Sequence, residues 1–413
     1  MAQGRRTETR NLPKPIPERI REAREAMGLQ QEAFAELLGV TKQAVARYES
    51  GLSVPSGDVM AKVIAHTAQP PAFFVTPRQR SANGISPFWR GLKRMELHHR
   101  KRVTRRLEWA CDITAYLETF IELPQVSLPS VNFDPDSDDV DLIEHAADKV
   151  RELWGLGRGP LRDLSVVMEL HGLVLVREVV GCNDMDAVSC WQHGRPYVLF
   201  SADVASGPRN AFNLAHELGH VVLHSAVEVT ADNLPRVEKQ AHRFASALLL
   251  PQESFSREVL GTSLNHFLFL KEKWGVAISA MAYRCKDLSI LSENQFSYLM
   301  RQMNVFKIRT QEPLDEKFQV RAPSILGESI KMLIDQGVQT KAQIEDALAL
   351  NLTDIESLCG LPKGYLDSRV VPFRPRLSNN DNSAVVKLVD EAEGPAKKRG
   401  PYKPRAAKAK ISD

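Results

Sequence analysis

Cysteine is scarce in this chain and poorly placed for cross-linking. The five thiols, Cys111, Cys182, Cys190, Cys285 and Cys359, are an odd number, widely scattered and without a Cys-x-x-Cys pair. That pattern excludes a disulfide framework and points to a reducing compartment with structural thiols. No apolar run approaches the length of a membrane span, and Met1-Ala-Gln-Gly-Arg-Arg has no apolar core of a secretion signal. A cytoplasmic protein without membrane contact is therefore expected. Charge of one sign is also missing as a total, since the net charge is only +3. What is present is 413 residues, 43% hydrophobic and 25% charged, which suffices for two or three domains with real cores.

The chemistry is spelled out in Asn213-Leu-Ala-His-Glu-Leu-Gly-His-Val-Val-Leu-His224. His216 and His220 are four residues apart, so on a helix they lie on one face. Two imidazoles at that spacing can grip one tetrahedral zinc, and Glu217 beside them can act as general base on the water the metal activates. Leu214, Ala215, Leu218, Val221, Val222 and Leu223 supply an apolar surround that excludes water. Gly219 lowers helix propensity but leaves room for a close approach.

Two histidines and a water leave one protein ligand to find. His224 continues the stripe, but one more turn lifts it about 6 Å along the axis. The three-histidine alternative needs a Gly and a His where Leu223 and Ala226 stand, so it fails. Glu238 is the better candidate, in Val237-Glu-Lys-Gln-Ala-His-Arg-Phe-Ala-Ser-Ala-Leu-Leu-Leu-Pro251. There Glu238, Ala241, His242 and Ala245 share a helical face, with His242 and His224 as supporting residues around the ligands. The competing assignment is a solvated Glu at a helix start.

These two segments resemble the ImmA/IrrE family of metallo-endopeptidases. The flanks Asp186-Ala-Val-Ser-Cys-Trp191, Gly194-Arg-Pro-Tyr-Val-Leu-Phe200, Arg209-Asn-Ala-Phe-Asn-Leu214 and Lys271 to Arg284 extend the likeness over about residues 146–300. The resemblance implies His216, His220 and Glu238 as metal ligands and Glu217 as catalytic base. His242 departs from it, because the family usually shows Asn there. Two nitrogens and a carboxylate suit zinc and also accept manganese.

A second motif lies near the N-terminus. Residues Gln30 to Gly39 form a short helical pattern, and Thr41 is a good cap for Lys42-Gln-Ala-Val-Ala-Arg-Tyr-Glu49, which Gly51 closes. Two short helices joined by Gly39-Val40-Thr41 make a helix-turn-helix, with Ala35, Leu38, Val40 and Val45 as its small core. The second helix would enter a major groove through Thr41, Lys42, Gln43, Ala46 and Arg47, with Gln31 touching phosphate. Ala44-Val-Ala-Arg-Tyr-Glu-Ser-Gly51, followed by Pro55 and a closing helix near 56–67, resembles the XRE family of Cro- and lambda-repressor-type domains over about residues 16–75. Double-stranded DNA is the expected partner and a homodimer the expected state.

Between and beyond these motifs the chain changes character. Residues 78–106 carry ten Lys or Arg against Glu96 alone, which reads either as a phosphate-contacting surface or as the solvated side of a long helix from Glu96 to about Glu122. Trp109, Tyr116, Leu117 and Phe120 on that helix are expected to meet a partner domain or a second subunit. Pro124 to Asp141, with three prolines and five aspartates, reads as a solvated hinge. Arg284 reads as a structural ion pair and Tyr283 as an oxyanion candidate. After Ala396 seven basic residues, including Arg399-Gly-Pro, mark a disordered tail with phosphate affinity.

The expected fold class is mainly α with a small α+β metallopeptidase domain. The expected order is a flexible 1–15, a helix-turn-helix bundle at 16–75, a basic helical connector at 76–123 and an acidic linker at 124–142. A zincin-like domain at 143–310, a helical module at 311–372 and a basic tail at 373–413 follow. The expected function is a DNA-binding regulator whose endopeptidase domain cleaves a protein, namely a repressor of stress, prophage or mobile-element genes. The alternative is a ligand- or metal-sensing transcription factor whose peptidase-like domain does no proteolysis.

Overall fold

The computed structural model describes residues 13–78, 95–131, 133–137, 139–181, 185–225, 227, 229–309 and 311–367. The stretch before residue 13 that was expected to be flexible, the segment Pro87-Phe-Trp-Arg and the basic tail with Arg399-Gly-Pro lie outside these residues.

Five helices build the first region: α1 (Pro17–Ala26), α2 (Gln31–Leu38), α3 (Lys42–Glu49), α4 (Gly57–Thr67) and α5 (Pro71–Val75). Gly39 adopts φ 69° and ends α2, a left-handed conformation that favours glycine. Two residues on, Thr41 Oγ1 accepts from the Ala44 amide at 3.2 Å and starts α3. Ala35, Leu38 and Val45 are buried as expected, Val40 packs half-buried against them, and Phe34 and Val63 complete the core.

The long helix α6 (Leu97–Leu117) ends earlier than its apolar stripe suggested, in a turn through Glu118–Phe120. Its aromatic and basic residues turn inward. The Trp109 indole donates to Glu22 at 2.6 Å, and its ring stands edge-on to Phe73, so Trp109 and Leu117 are buried within this chain. Trp109 thus meets another helical region of the same chain, in agreement with the expected partner domain. Tyr116 bonds Gln339, and Phe120 remains partly exposed.

The central region begins with α7 (Val140–Leu153) and α8 (Leu164–Leu170), followed by β1 (Val174–Glu178), β2 (Ala187–Gln192) and β3 (Arg195–Ser201). β3 lies between a parallel β1 and an antiparallel β2. His193 and Gly194 both take positive φ, which suits the two-residue turn of the β2–β3 hairpin. Strand parity divides the sheet. Leu175, Ala187, Val198 and Phe200 join one core with the next helix, α9 (Gly207–Leu223). Val174, Val176, Val188, Cys190 and Leu199 join the other core with α6. Covered on both faces, the strands read as nearly continuous apolar runs.

Helix α10 (Leu234–Leu249) packs against α9. A Cβ at Gly219 would lie 3.2 Å from the Ala241 Cα, so the glycine lets the two helices approach. Helices α11 (Gln252–Ser256), α12 (Leu264–Trp274), α13 (Ile278–Asp287) and α14 (Glu293–Val305) follow. The final described unit is α15 (Ile325–Asp335), α16 (Lys341–Leu348) and α17 (Leu352–Leu358). Buried Arg106 of α6 ties the parts together: it pairs with Glu178 of β1 at 2.6 Å and with Asp354 of α17 at 2.5 Å.

Residues 124–137 do not behave as a solvated hinge. Leu128, Val131 and Phe133 pack on the central core, and Gln240 Nε2 donates to the Pro135 and Ser137 carbonyls at 3.0 Å each. Apolar residues among the prolines and aspartates outweigh the charge that suggested a hinge.

Candidate metal centre and helix-turn-helix surface

Helix α9 buries its apolar residues on every side of the histidine pair, and His216, Glu217 and His220 are at most 2% exposed. His216 Nε2 and His220 Nε2 lie 3.1 Å apart. From α10, Glu238 brings Oε2 to 3.4 Å from His216 Nε2 and Oε1 to 3.5 Å from His220 Nε2. Ligand atoms bonded to one tetrahedral zinc at about 2.0–2.1 Å are separated by roughly 3.3–3.4 Å. The three separations therefore fit donors that can share one ion. His242 is near as well, its ring 4.5 Å from His216, and His216, Glu238 and His242 offer ligand atoms that all lie within 4.8 Å of one another.

The electrostatics agree with a cation-ready site. Burial works to raise the Glu238 pKa, but its interactions with His216 and His220 win and hold it well below the usual carboxylate range. Burial first, and then the neighbouring His220, lower the His224 pKa to about 4, so this ring is neutral near pH 7.

A hydrogen-bond chain fixes the His220 tautomer. Both Gln240 Nε2 protons go to the Pro135 and Ser137 carbonyls, so Gln240 Oε1 accepts from His224 Nε2 at 2.9 Å. The neutral His224 must then accept at Nδ1 from His220 Nδ1, 3.1 Å away. That leaves the His220 Nε2 lone pair toward Glu238 and His216. His224 is thus close to the site without joining the ligand atoms, as its extra helical turn suggested. Gln240 carries no signal in the sequence, because its role depends on a segment about one hundred residues away.

Glu217 Oε2 accepts from Ser189 Oγ at 2.6 Å. Ser189 was also missed, although its parity was readable. It pairs with Val198, and both therefore face α9. Beside Glu238 and His242 opens a cleft of about 880 Å³, with Phe212 and Tyr283 on its walls. Tyr283 is half exposed. Fully buried Arg284 instead binds Glu144 at 2.5 and 2.8 Å and the Leu250 carbonyl at 3.0 Å, which makes it structural.

On the N-terminal bundle, Thr41, Lys42, Gln43 and Arg47 are exposed on α3, and Ala46 is half-buried beside them. Gln31, expected on phosphate, donates to Glu49 at 2.8 Å and buttresses the Arg24–Glu49 pair. Among the described residues, much of the basic run is turned inward as well. Lys101 and Arg105 bind Glu25, and Arg78 binds Glu108 and Asp112. Arg80, Arg90, Lys93 and Arg94 lie outside the described residues.

Comparison with known families agrees with both parts. The helix-turn-helix family model matches residues 20–74, and the peptidase family described as IrrE N-terminal-like domain matches residues 168–286. No curated protein matches the chain. No helix among the described residues is long and apolar enough to cross a membrane. The chain is a fusion of an XRE-type helix-turn-helix region with an IrrE/ImmA-like peptidase domain.

Proposed function

We propose that this protein is a DNA-bound regulator whose central region is a metal-dependent endopeptidase acting on a repressor protein. The observation that carries the reading is the convergence of His216, His220 and Glu238 at 3.1–3.5 Å, with Glu217 on the same buried helix. His216, His220 and Glu238 would hold a divalent ion, zinc by preference and manganese by tolerance. Such an ion would supply Lewis acidity for water activation and carbonyl polarisation. Glu217 takes the proton from the attacking water and passes it to the leaving amine. Ser189 orients that carboxylate, while His224 and Gln240 hold His220 in its coordinating tautomer. The cleft along α10 receives the substrate chain, and Tyr283 at its mouth is placed to donate to the developing oxyanion.

The exposed Thr41, Lys42, Gln43, Ala46 and Arg47 read the major groove, and two copies reach paired half-sites. Placing peptidase and promoter-bound repressor on the same DNA raises their effective concentration. The function belongs in the cytoplasm, where DNA and repressor are.

Metal content of protein purified without chelator tests the proposal. One zinc or manganese per chain is expected in the wild type and its loss in Glu238→Ala. A wild type that binds neither ion on reconstitution would remove the peptidase reading. The competing sensor reading would replace it if transcription responded normally in a Glu217→Gln variant that no longer cleaves.

A further inference from the structure

The cleft beside the metal centre has a second polar feature on its inner wall. Asn213 and Ser246 both line it and are 5% and 6% exposed. Among the described residues, neither Asn213 Nδ2 nor Ser246 Oγ has a hydrogen-bond partner. Asn213 lies one turn before Glu217 on α9, and Ser246 lies one turn beyond His242 on α10. Each therefore shares a helix face with the residues of the centre. Unmatched buried polar groups are uncommon and destabilising. Leucine at 213 and alanine at 246 would avoid that cost with little change in volume.

The surroundings restrict what could satisfy them. Ile143, Phe212 and Ala280 make nearby walls of the cleft apolar. Its arginines already face carboxylates: Arg209 with Asp186 at 3.6 Å, Arg243 with Glu144 at 2.5 Å, and Arg236 with Asp136. Among the described lining residues the cation outside these pairs, Lys239, is exposed rather than buried with Asn213 and Ser246. An aliphatic side chain would leave both polar groups unmatched.

We propose that Asn213 and Ser246 form a specificity pocket for an uncharged amide side chain of the peptide substrate, glutamine or asparagine. The pocket rests on the peptidase reading above. The substrate carbonyl oxygen accepts from Asn213 Nδ2, and the substrate amide N–H donates to Ser246 Oγ. The aliphatic stem lies against the apolar wall. A site built to hydrogen-bond a substrate group rejects analogues that lack it more strongly than an apolar pocket can.

The test uses the full-length, zinc-loaded protein and a peptide library randomised around one bond, with cleavage sites read by mass spectrometry. Wild type should favour glutamine or asparagine over leucine and glutamate at one fixed position by roughly tenfold or more. Asn213→Leu combined with Ser246→Ala should lose that preference and gain aliphatic residues, with an unfolding temperature unchanged or higher. Cleavage with no amide preference, or a variant with the wild-type profile, overturns the pocket and leaves the peptidase reading standing. If no peptide is cleaved, the same library is selected for binding to zinc-loaded Glu217→Gln. Amide-dependent retention that disappears on adding the two substitutions supports the pocket and removes the peptidase reading. Retention without amide dependence, or none, overturns the pocket.

Discussion

The helix-turn-helix bundle and the peptidase region both bury polar side chains in closed pairs, but the peptidase region adds a second kind of polar cluster. In the bundle, Arg24 meets Glu49 at 2.5 Å with Gln31 closing the other oxygen, and Arg19 meets Glu22, which also takes the Trp109 indole. Each buried charge there has a fixed counter-charge. In the peptidase region, His216, His220 and Glu238 aim nitrogen and oxygen atoms at one another around one point, and Asn213 Nδ2 and Ser246 Oγ have no hydrogen-bond partner among the described residues. Closed networks serve shape, whereas open donor sets serve ligands.

The comparison can be broken most directly at Glu217. Glu217→Gln keeps the helix and the ligands, so metal content should hold while cleavage of a protein substrate falls by about 10²- to 10⁴-fold. Retained cleavage would place Glu217 among the structural residues instead. In the bundle the expected loss is of stability. Arg24→Ala strands a buried carboxylate, and denaturant unfolding of the N-terminal region should show a cost of about 3–5 kcal/mol, with metal content unchanged. A cost near that of a surface mutation would mean the bundle's network is not closed.

Gln240→Leu sharpens the contrast because it touches the site only through His224. Metal affinity, measured by competition with a chelator, should weaken by about 10- to 100-fold, and an unaltered affinity would sever the proposed tautomer chain. The smallest effect concerns Glu144. Burial raises its pKa, but the pairs with Arg284 and Arg243 lower it below 4.5 overall. The stability it contributes is therefore fully present above pH 4.5 and is lost as pH falls through the lower folded-state value. Unfolding curves of wild type and Glu144→Gln should converge in acid, and a constant gap between them would refute the linkage.

Much of this division is legible along the chain, because local rules carry it. The Gly39 stop, the Thr41 cap and the histidine pair depend on backbone conformation and helical spacing within a few residues. The ends of α2 and α3 follow from the same rules. The inward turn of the basic run was not legible. A row of arginines on a helix looks the same whether it faces phosphate or Glu25, Glu178 and Asp354, which are distant in sequence. Likewise Phe133 and Gln240 reveal the docking of the acidic stretch only once α10 is beside it.

The sequence by itself determined the helix-turn-helix, the pairing of His216 with His220, and Glu238 as the candidate third donor, because each follows from periodicity or from residue chemistry. Only the tertiary structure decided that Ser189 meets Glu217 and that Gln240 sets the tautomer of His220. It also decided that α6 uses its arginines to join the two regions and that Asn213 and Ser246 share one cleft. Those choices depend on side chains brought together by packing, and neither hydrophobic pattern nor spacing records which distant groups the packing will bring within hydrogen-bonding distance.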